Sequence, residues 1–413
     1  MEVLIDGHCH TVAGADLDRA AFAQWCTEAD RPPPAGVSYL DSQVGLAVRH
    51  WCPPVLDLPA HASVEDYLAR RAALGWREAT TRLLRAADLA ALLVDTGIDA
   101  GPASLEPGLD GQPGGVGADT LGGLADAVVH EVVRLERIAE DVAASGVDAA
   151  GFADAYRTSL ADRATRAVAT KSILAYRYGL GVPPERPSTQ EVRRAAGDWL
   201  RDDGRLHDDG RPRDDGGRLR DDGRLRGDGR PRDDGGRLRA GGWRLTDPVL
   251  LRFVLWAGVD TGLPLQLHTG FGDRDLPLSA ADPALLQPFL AAVEPAGVPV
   301  VLLHCYPYHR QAGWLALVHP HVYVDVGLTM THVGARAAAV LGEFCELVPF
   351  GKLLFSTDAY GLPELYLVGA AQYRQALRHL LDGWVRDDAL STVDAERVAE
   401  LVCAGNAKRL YLL

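Results

Sequence analysis

No run among the 413 residues reaches the ~18–20 consecutive apolar positions that a membrane span requires, so none is expected. Positive charge is scarce. Lys and Arg total 42 against 56 Asp and Glu, and the formal net charge of −14 argues against non-specific binding to nucleic acid or anionic membranes. Lysine is nearly missing, with three residues, and there are two methionines, a compositional bias without bearing on activity. The six cysteines (9, 26, 52, 305, 345 and 403) are scattered and form no CxxC pair. Reduced thiols in a cytoplasmic protein are therefore expected. No basic stretch followed by an apolar run opens the chain, so no secretory leader is expected. What is plentiful is apolar side chain: 47% of the residues are hydrophobic, enough for a substantial core.

Eight apolar runs read as strands, near residues 3–8, 90–95, 128–135, 167–172, 264–268, 299–304, 322–326 and 352–356. Between several of them apolar residues recur at three- and four-residue spacing. Val64 to Arg85, Leu285 to Ala296, Arg336 to Val348 and Ala370 to Trp384 are predicted helices. Alternating strand and helix with parallel crossovers signals an α/β architecture. Eight such units predict a closed (β/α)8 TIM-type barrel filling residues 1–413 as one domain. Residues 11–88 are too many for an ordinary βα loop and predict a helical insertion over the top of the barrel. Residues 101–123 are glycine-rich. Without Gly-Lys-Ser/Thr or an ordered GxGxxG they read as a flexible loop rather than a phosphate cradle.

Residues 201–242 differ in kind. RDDGRLHDDGRPRDDGGRL at 201–219 returns at 220–238 with changes at only two positions, His207/Arg226 and Asp208/Gly227. Arg and Asp nearly cancel and apolar residues are almost absent, so the segment cannot bury enough surface to offset its ordering entropy. A disordered insertion in a surface loop is expected. A calcium repeat is disfavoured because Arg interrupts every Asp pair.

Candidate chemistry sits at the C-terminal ends of the predicted strands, where a parallel barrel gathers its functional groups. His8 and His10 flank Cys9. Residues i and i+2 of an extended chain point the same way, so both imidazoles can converge on one ion, although two solvent-facing histidines read equally well in isolation. Lys171 ends the fourth run, as a surface lysine, a substrate-orienting amine or a carbamylated metal bridge. His268 and His304 end the next two runs, and glycines after His268 allow a sharp turn. Asp358 follows the last run and can bind metal and move protons, or simply cap a helix. Arg177, Arg134 and Glu136 are candidates for gripping substrate, the arginines through a carboxylate; Arg134–Glu136 could instead be a structural ion pair. Asp273 and Asp275 read as substrate contacts or turn formers, Tyr306 and Tyr308 as a pocket cover or as packing. Asp325 is a candidate for the inward face of strand seven. His332 is expected to be exposed, and His319 and His321 to lie on the surface at the opposite end.

The ordered set HxH, strand-four Lys, His, His, Asp resembles that of the amidohydrolase superfamily. The longer strings DGHCH, KSILAYRYGL, LPLQLHTGFGDRD, LLHCYPYHRQAGWLA, VYVDVG, LLFSTDAYGLPELY and GNAKRLYLL resemble the amidohydrolase-like half of nodulin/glutamine-synthetase-like fusion proteins and its stand-alone bacterial relatives. The likeness covers nearly everything outside 201–242, and no synthetase half follows Gly405-Asn-Ala within this sequence. It implies one or two divalent ions, zinc or manganese, held by His8, His10, His268 and Asp358, with carbamylated Lys171 as a further candidate ligand. Asp358 would take a proton from water and hand it to the leaving group. His304 would ligate a second metal or polarise the substrate carbonyl. The implied reaction is hydrolysis of an amide or related acyl bond in a small polar, carboxylate-bearing substrate. A metal-dependent decarboxylase or hydratase-type lyase is the alternative, and a non-catalytic binding protein a third. A homo-oligomer is expected on base rates alone.

Overall fold

A strand covered on both faces must be apolar on both, which is why the eight runs are nearly continuous in Val, Leu and Ile. A computed structural model describes residues 3–29, 31–97, 115–201, 232–233, 237–238 and 243–413. The runs form β1 (Leu4–Cys9), β2 (Leu89–Asp95), β3 (Val128–Arg134), β4 (Ala167–Ser172), β5 (Leu265–Thr269), β6 (Val300–His304), β7 (Val322–Asp325) and β8 (Leu353–Leu354). They pair in that order, parallel throughout, in one eight-stranded sheet. Helices surround it, as a (β/α)8 barrel requires.

The last strand is shorter than the sequence predicts because the residues after it serve the seam between β8 and β1. Gly7 N donates to Phe355 O at 3.0 Å, Asp358 N to His8 O at 3.0 Å and His10 N to Ala359 O at 2.9 Å. The buried Asp6 carboxyl group reinforces this seam, accepting from Thr357 N at 2.9 Å and Thr357 Oγ1 at 2.5 Å.

Strand alternation divides the barrel interior into layers. Ile5, Ala91, Leu93, Val132, Ala169, Val301, Leu303 and Leu354 form an apolar floor. Two residues further along β2, β3 and β4 the inward positions become Asp95, Arg134 and Lys171, and β5 carries Gln266 and then His268. From below, the helix Asn406–Tyr411 closes the barrel, packing Ala407, Leu410 and Tyr411 into that floor. Asn406 Nδ2 anchors it on Phe350 O at 2.7 Å and Leu353 O at 2.8 Å.

Between β1 and β2 stand four helices, Arg19–Trp25, Gln43–Val55, Val64–Leu74 and Trp76–Ala87. Their buried faces join the core shared with the long helix Pro363–Arg386. The expected glycine-rich loop is shorter than 101–123. Ala118–Ala125 is helical because Leu121 and Leu124 can be buried, and residues 98–114 lie outside the described residues. The Arg/Asp repeat likewise lies outside them apart from Arg201 and a short antiparallel pair, Arg232–Asp233 with Arg237–Leu238. On its two sides Trp199 and Trp243 meet edge to face, ring centroids 5.3 Å apart.

His319 and His321 are not surface residues: they are 9% and 7% exposed. The elements around β6 and β8 fold over them. Glu294 Oε2 lies 3.1 Å from His319 Nδ1, and Lys352 Nζ donates to His319 O at 2.7 Å. Among the described residues no helix is long and apolar enough to cross a membrane.

Candidate metal centre

The ends of β1, β4, β5, β6 and β8 bring six side chains together. His8 Nε2 and His10 Nε2 lie 3.3 and 3.4 Å from Asp358 Oδ1, and His304 Nε2 lies 3.5 Å from Asp358 Oδ2. Lys171 Nζ is 3.0 Å from His8 Nε2. The His268 ring stands 4.7 Å from that of His304, centroid to centroid. His8, His10 and Asp358 by themselves form a group with metal-binding spacing.

Local backbone aims these groups. His304 and Asp358 adopt left-handed conformations, φ 67° and 50°, as does Cys305. Such a conformation costs an L-residue roughly 1–2 kcal/mol, so it persists where the surroundings enforce it. Here Thr329 Oγ1 donates to His304 O at 2.8 Å, and Asp358 N is tied to His8 O. After His268 the chain needs glycine. Gly270 has φ 78°, and a Cβ there would lie 2.3 Å from Tyr306 O.

Burial sets the charge states. It pushes the His8 imidazole down to about 4, that of His304 to about 3, and that of His268 well below the usual histidine value. Neutral imidazoles offer lone pairs to a cation. Burial lowers Lys171 to about 8, opposed by the charges of Asp95 and Asp358. Burial also disfavours the Asp358 carboxylate, but His304, His10 and His8 outweigh it and hold the group well below the carboxylate range. His268 Nε2 and both ring nitrogens of His304 are buried without hydrogen-bond partners among the described residues. Orphaned imidazole nitrogens facing a carboxylate suit a divalent cation, which would be held by His8, His10, His268, His304 and Asp358 with Lys171 beside them.

The expected substrate contacts are arranged differently. Arg134 is buried and pairs with Asp95 on the neighbouring strand, Nη2 to Oδ2 2.7 Å, not with Glu136. Glu136 is also buried and holds the turn after β4, accepting from Ser172 Oγ at 2.5 Å and Ile173 N at 3.2 Å. Its carboxyl is raised by burial to about 7. Arg177, 3% exposed in its side chain, pairs with Glu140 at 3.1 Å. Asp273 accepts from Asp275 N at 2.8 Å, a turn contact. Tyr306 stacks on His309 with centroids 5.5 Å apart. Asp325 does face inward, bonded to Ser356 Oγ at 2.7 Å.

Several contributors are new to the structure. Trp25 and Tyr360 form an aromatic wall, 4.6 Å apart, with Tyr360 5.8 Å from the His10 ring. Tyr176 covers His268 at 4.6 Å. From the insertion, Glu28 reaches within 3.8 Å of His332 Nε2; the His332 side chain is only 19% exposed because it packs on Phe271. Burial raises the Glu28 carboxyl to about 8, helped by the charges of Asp358 and Asp273. Gln266 contacts His8 from below, Oε1 to Nδ1 2.9 Å. A polar residue two positions before His268 in an apolar strand was the available sequence signal for it. Glu28 offered none.

Comparisons with known proteins agree with this architecture. The structure is similar to a Lactobacillus casei protein described as a metal-dependent hydrolase, with TM-score 0.77 and 25% identity, covering 100% of this chain and 96% of that one. It also shares its fold with uronate isomerase from Thermotoga maritima, with TM-score 0.57 and 12% identity, covering 99% and 94% of the two chains. In sequence, 152 residues (36% of this chain) are 40% identical to Protein fluG of Emericella nidulans, a match spanning only 17% of that protein's length. Residues 5–413 match the amidohydrolase family, and the chain belongs to it.

Proposed function

We propose that this chain is a metal-dependent hydrolase cleaving an amide or related acyl bond of a small polar molecule. The observation that carries the reading is the convergence of His8, His10, His268, His304 and Asp358 at one end of the barrel, where burial lowers the His8, His268 and His304 imidazoles and Asp358 is held well below the carboxylate range. A divalent cation in this cradle, zinc or manganese, supplies Lewis acidity that acidifies water and polarises a carbonyl. Asp358, within 3.5 Å of three imidazoles, takes the proton of the attacking water and delivers it to the departing nitrogen. His304, beneath the same opening, orients the carbonyl or adds a ligand. Lys171 has an amine neutral often enough near pH 8 to react with carbon dioxide, and as a carbamate it would add an anionic ligand. Beside the opening, Tyr360 stands against the His10 ring with Trp25 behind it, and Tyr176 against the His268 ring.

Loss of carbon dioxide from a carboxylated substrate is the competing chemistry. It needs the substrate carboxylate held beside the ion; Arg134 and Arg177 are already paired with Asp95 and Glu140, which leaves Lys171 as the cationic side chain for that grip. The deciding measurement is metal per chain by plasma mass spectrometry, for wild type and His268→Ala purified without chelators. About one or two equivalents of zinc or manganese, lost in the variant, are expected. Less than about a tenth of an equivalent after incubation with metals would overturn the mechanism. A panel of amides and aromatic carboxylic acids, read for released amine and released carbon dioxide, then separates the two chemistries.

A further inference from the structure

Gln266 lies on the inward face of β5, fully buried between the apolar floor and the ligand layer. Its carboxamide makes three hydrogen bonds. Nε2 donates to Gly7 O at 2.8 Å and to Tyr411 OH at 2.9 Å, and Oε1 faces His8 Nδ1 at 2.9 Å. Gly7 O can only accept, so the amide nitrogen must face Gly7 and Tyr411, and the amide oxygen must face the histidine. His8 Nδ1 then carries the ring proton. Its Nε2 is left with a lone pair directed at Asp358 and Lys171. Tyr411 belongs to the helix that closes the far end of the barrel, and its ring is 4% exposed among Ala404, Ala407 and Leu410.

We propose that Gln266 and Tyr411 are positioning residues that fix the tautomer and orientation of His8, so that the closing helix tunes cation affinity from the opposite end of the barrel. The inference rests on the metal-site reading above. Gly7 O sets the direction of the Gln266 amide, Tyr411 OH holds it in place as a second acceptor, and Gln266 fixes the ring. No charge is needed in the connection, because each link is a donor meeting an acceptor in a site closed to water. Tyr411 acts only through Gln266, which separates this role from simple packing of the helix.

The test uses the full chain stripped of metal. Zinc affinity is measured by competition with a chromogenic chelator for wild type, Tyr411→Phe, Gln266→Met and the double variant. Phenylalanine keeps the ring, and methionine keeps the length of glutamine. Gln266→Met should weaken zinc about 10–100-fold, and Tyr411→Phe about three- to tenfold. The double variant should be no weaker than Gln266→Met alone. Nitrogen-15 histidine spectra of the metal-free proteins should show His8 as the Nδ1–H tautomer in wild type, shifted toward Nε2–H in Gln266→Met and partway in Tyr411→Phe. Losses that add in the double variant would overturn the proposal, as would Tyr411→Phe with wild-type affinity and an unchanged tautomer. If wild type takes up no zinc, the metal reading falls while the tautomer spectra still decide the connection. If Gln266→Met does not fold, Tyr411→Phe carries both readouts.

Discussion

Replacing Arg71 with methionine keeps aliphatic bulk but removes one charge from a pair whose side chains are 3% and 0% exposed. Arg71 Nε lies 2.9 Å from Glu364 Oε1, which also accepts from Tyr67 OH at 2.7 Å. Arg71 and Tyr67 stand on the insertion helix Val64–Leu74, and Glu364 opens the helix Pro363–Arg386. The pair therefore ties the insertion to the barrel. Stranding a buried carboxylate costs about 3–5 kcal/mol. That is a large share of the roughly 5–15 kcal/mol by which a folded protein is stable. Tyr67→Phe removes one hydrogen bond to a charged acceptor and should cost about 1.5–3 kcal/mol. Arg71→Met combined with Glu364→Leu and Tyr67→Phe should recover most of the single-variant loss, because the desolvation penalty leaves with both charges and no buried hydroxyl is left without its acceptor. Urea unfolding followed by circular dichroism measures this, on metal-stripped chains so that ion binding does not enter. An Arg71→Met loss below about 1 kcal/mol, the size of a surface pair, would refute the reasoning. So would a triple variant as unstable as Arg71→Met alone.

Asp358→Asn should retain the fold and lose turnover about 10²–10⁴-fold, measured on any amide that wild type cleaves, since the amide cannot accept the water proton. Excising residues 202–242 with a short glycine linker should leave the melting temperature and metal content unchanged, because Trp199 and Trp243 already hold the two sides together. In the metal-free chain the His8 and His304 rings should stay neutral from pH 7 to about pH 5 in nitrogen-15 spectra, because burial lowers them to about 4 and about 3. Protonation of either ring centred at the ordinary histidine value would contradict that burial effect.

The strands were legible because burial on both faces writes continuous apolar runs, and Leu89–Asp95 and Val128–Arg134 end within a residue of where the sequence put them. The converging side chains were legible for a related reason: each ends such a run, and parallel strands share one C-terminal rim. Partners across strands were not legible. Arg134 meets Asp95 rather than Glu136 because β2 and β3 run side by side, a proximity that no local spacing encodes. The burial of His319 escaped the sequence for the same reason, since Glu294 and Lys352 reach it from turns far away in the chain. Glu28 and Tyr411 come from segments whose own sequences carry no ligand pattern, and only packing brings Glu28 to His332 and Tyr411 to the barrel floor.

The seam between the first and last strands has a consequence for biogenesis. His8 and His10 are synthesised some 350 residues before Asp358 and Ala359, so Asp358 N reaches His8 O, and Ala359 O meets His10 N, only once that whole stretch has been made. Closing so long a loop must precede its reward. A nascent or truncated chain therefore presents two histidines without their carboxylate, and cation binding becomes a late event that reports on a completed barrel.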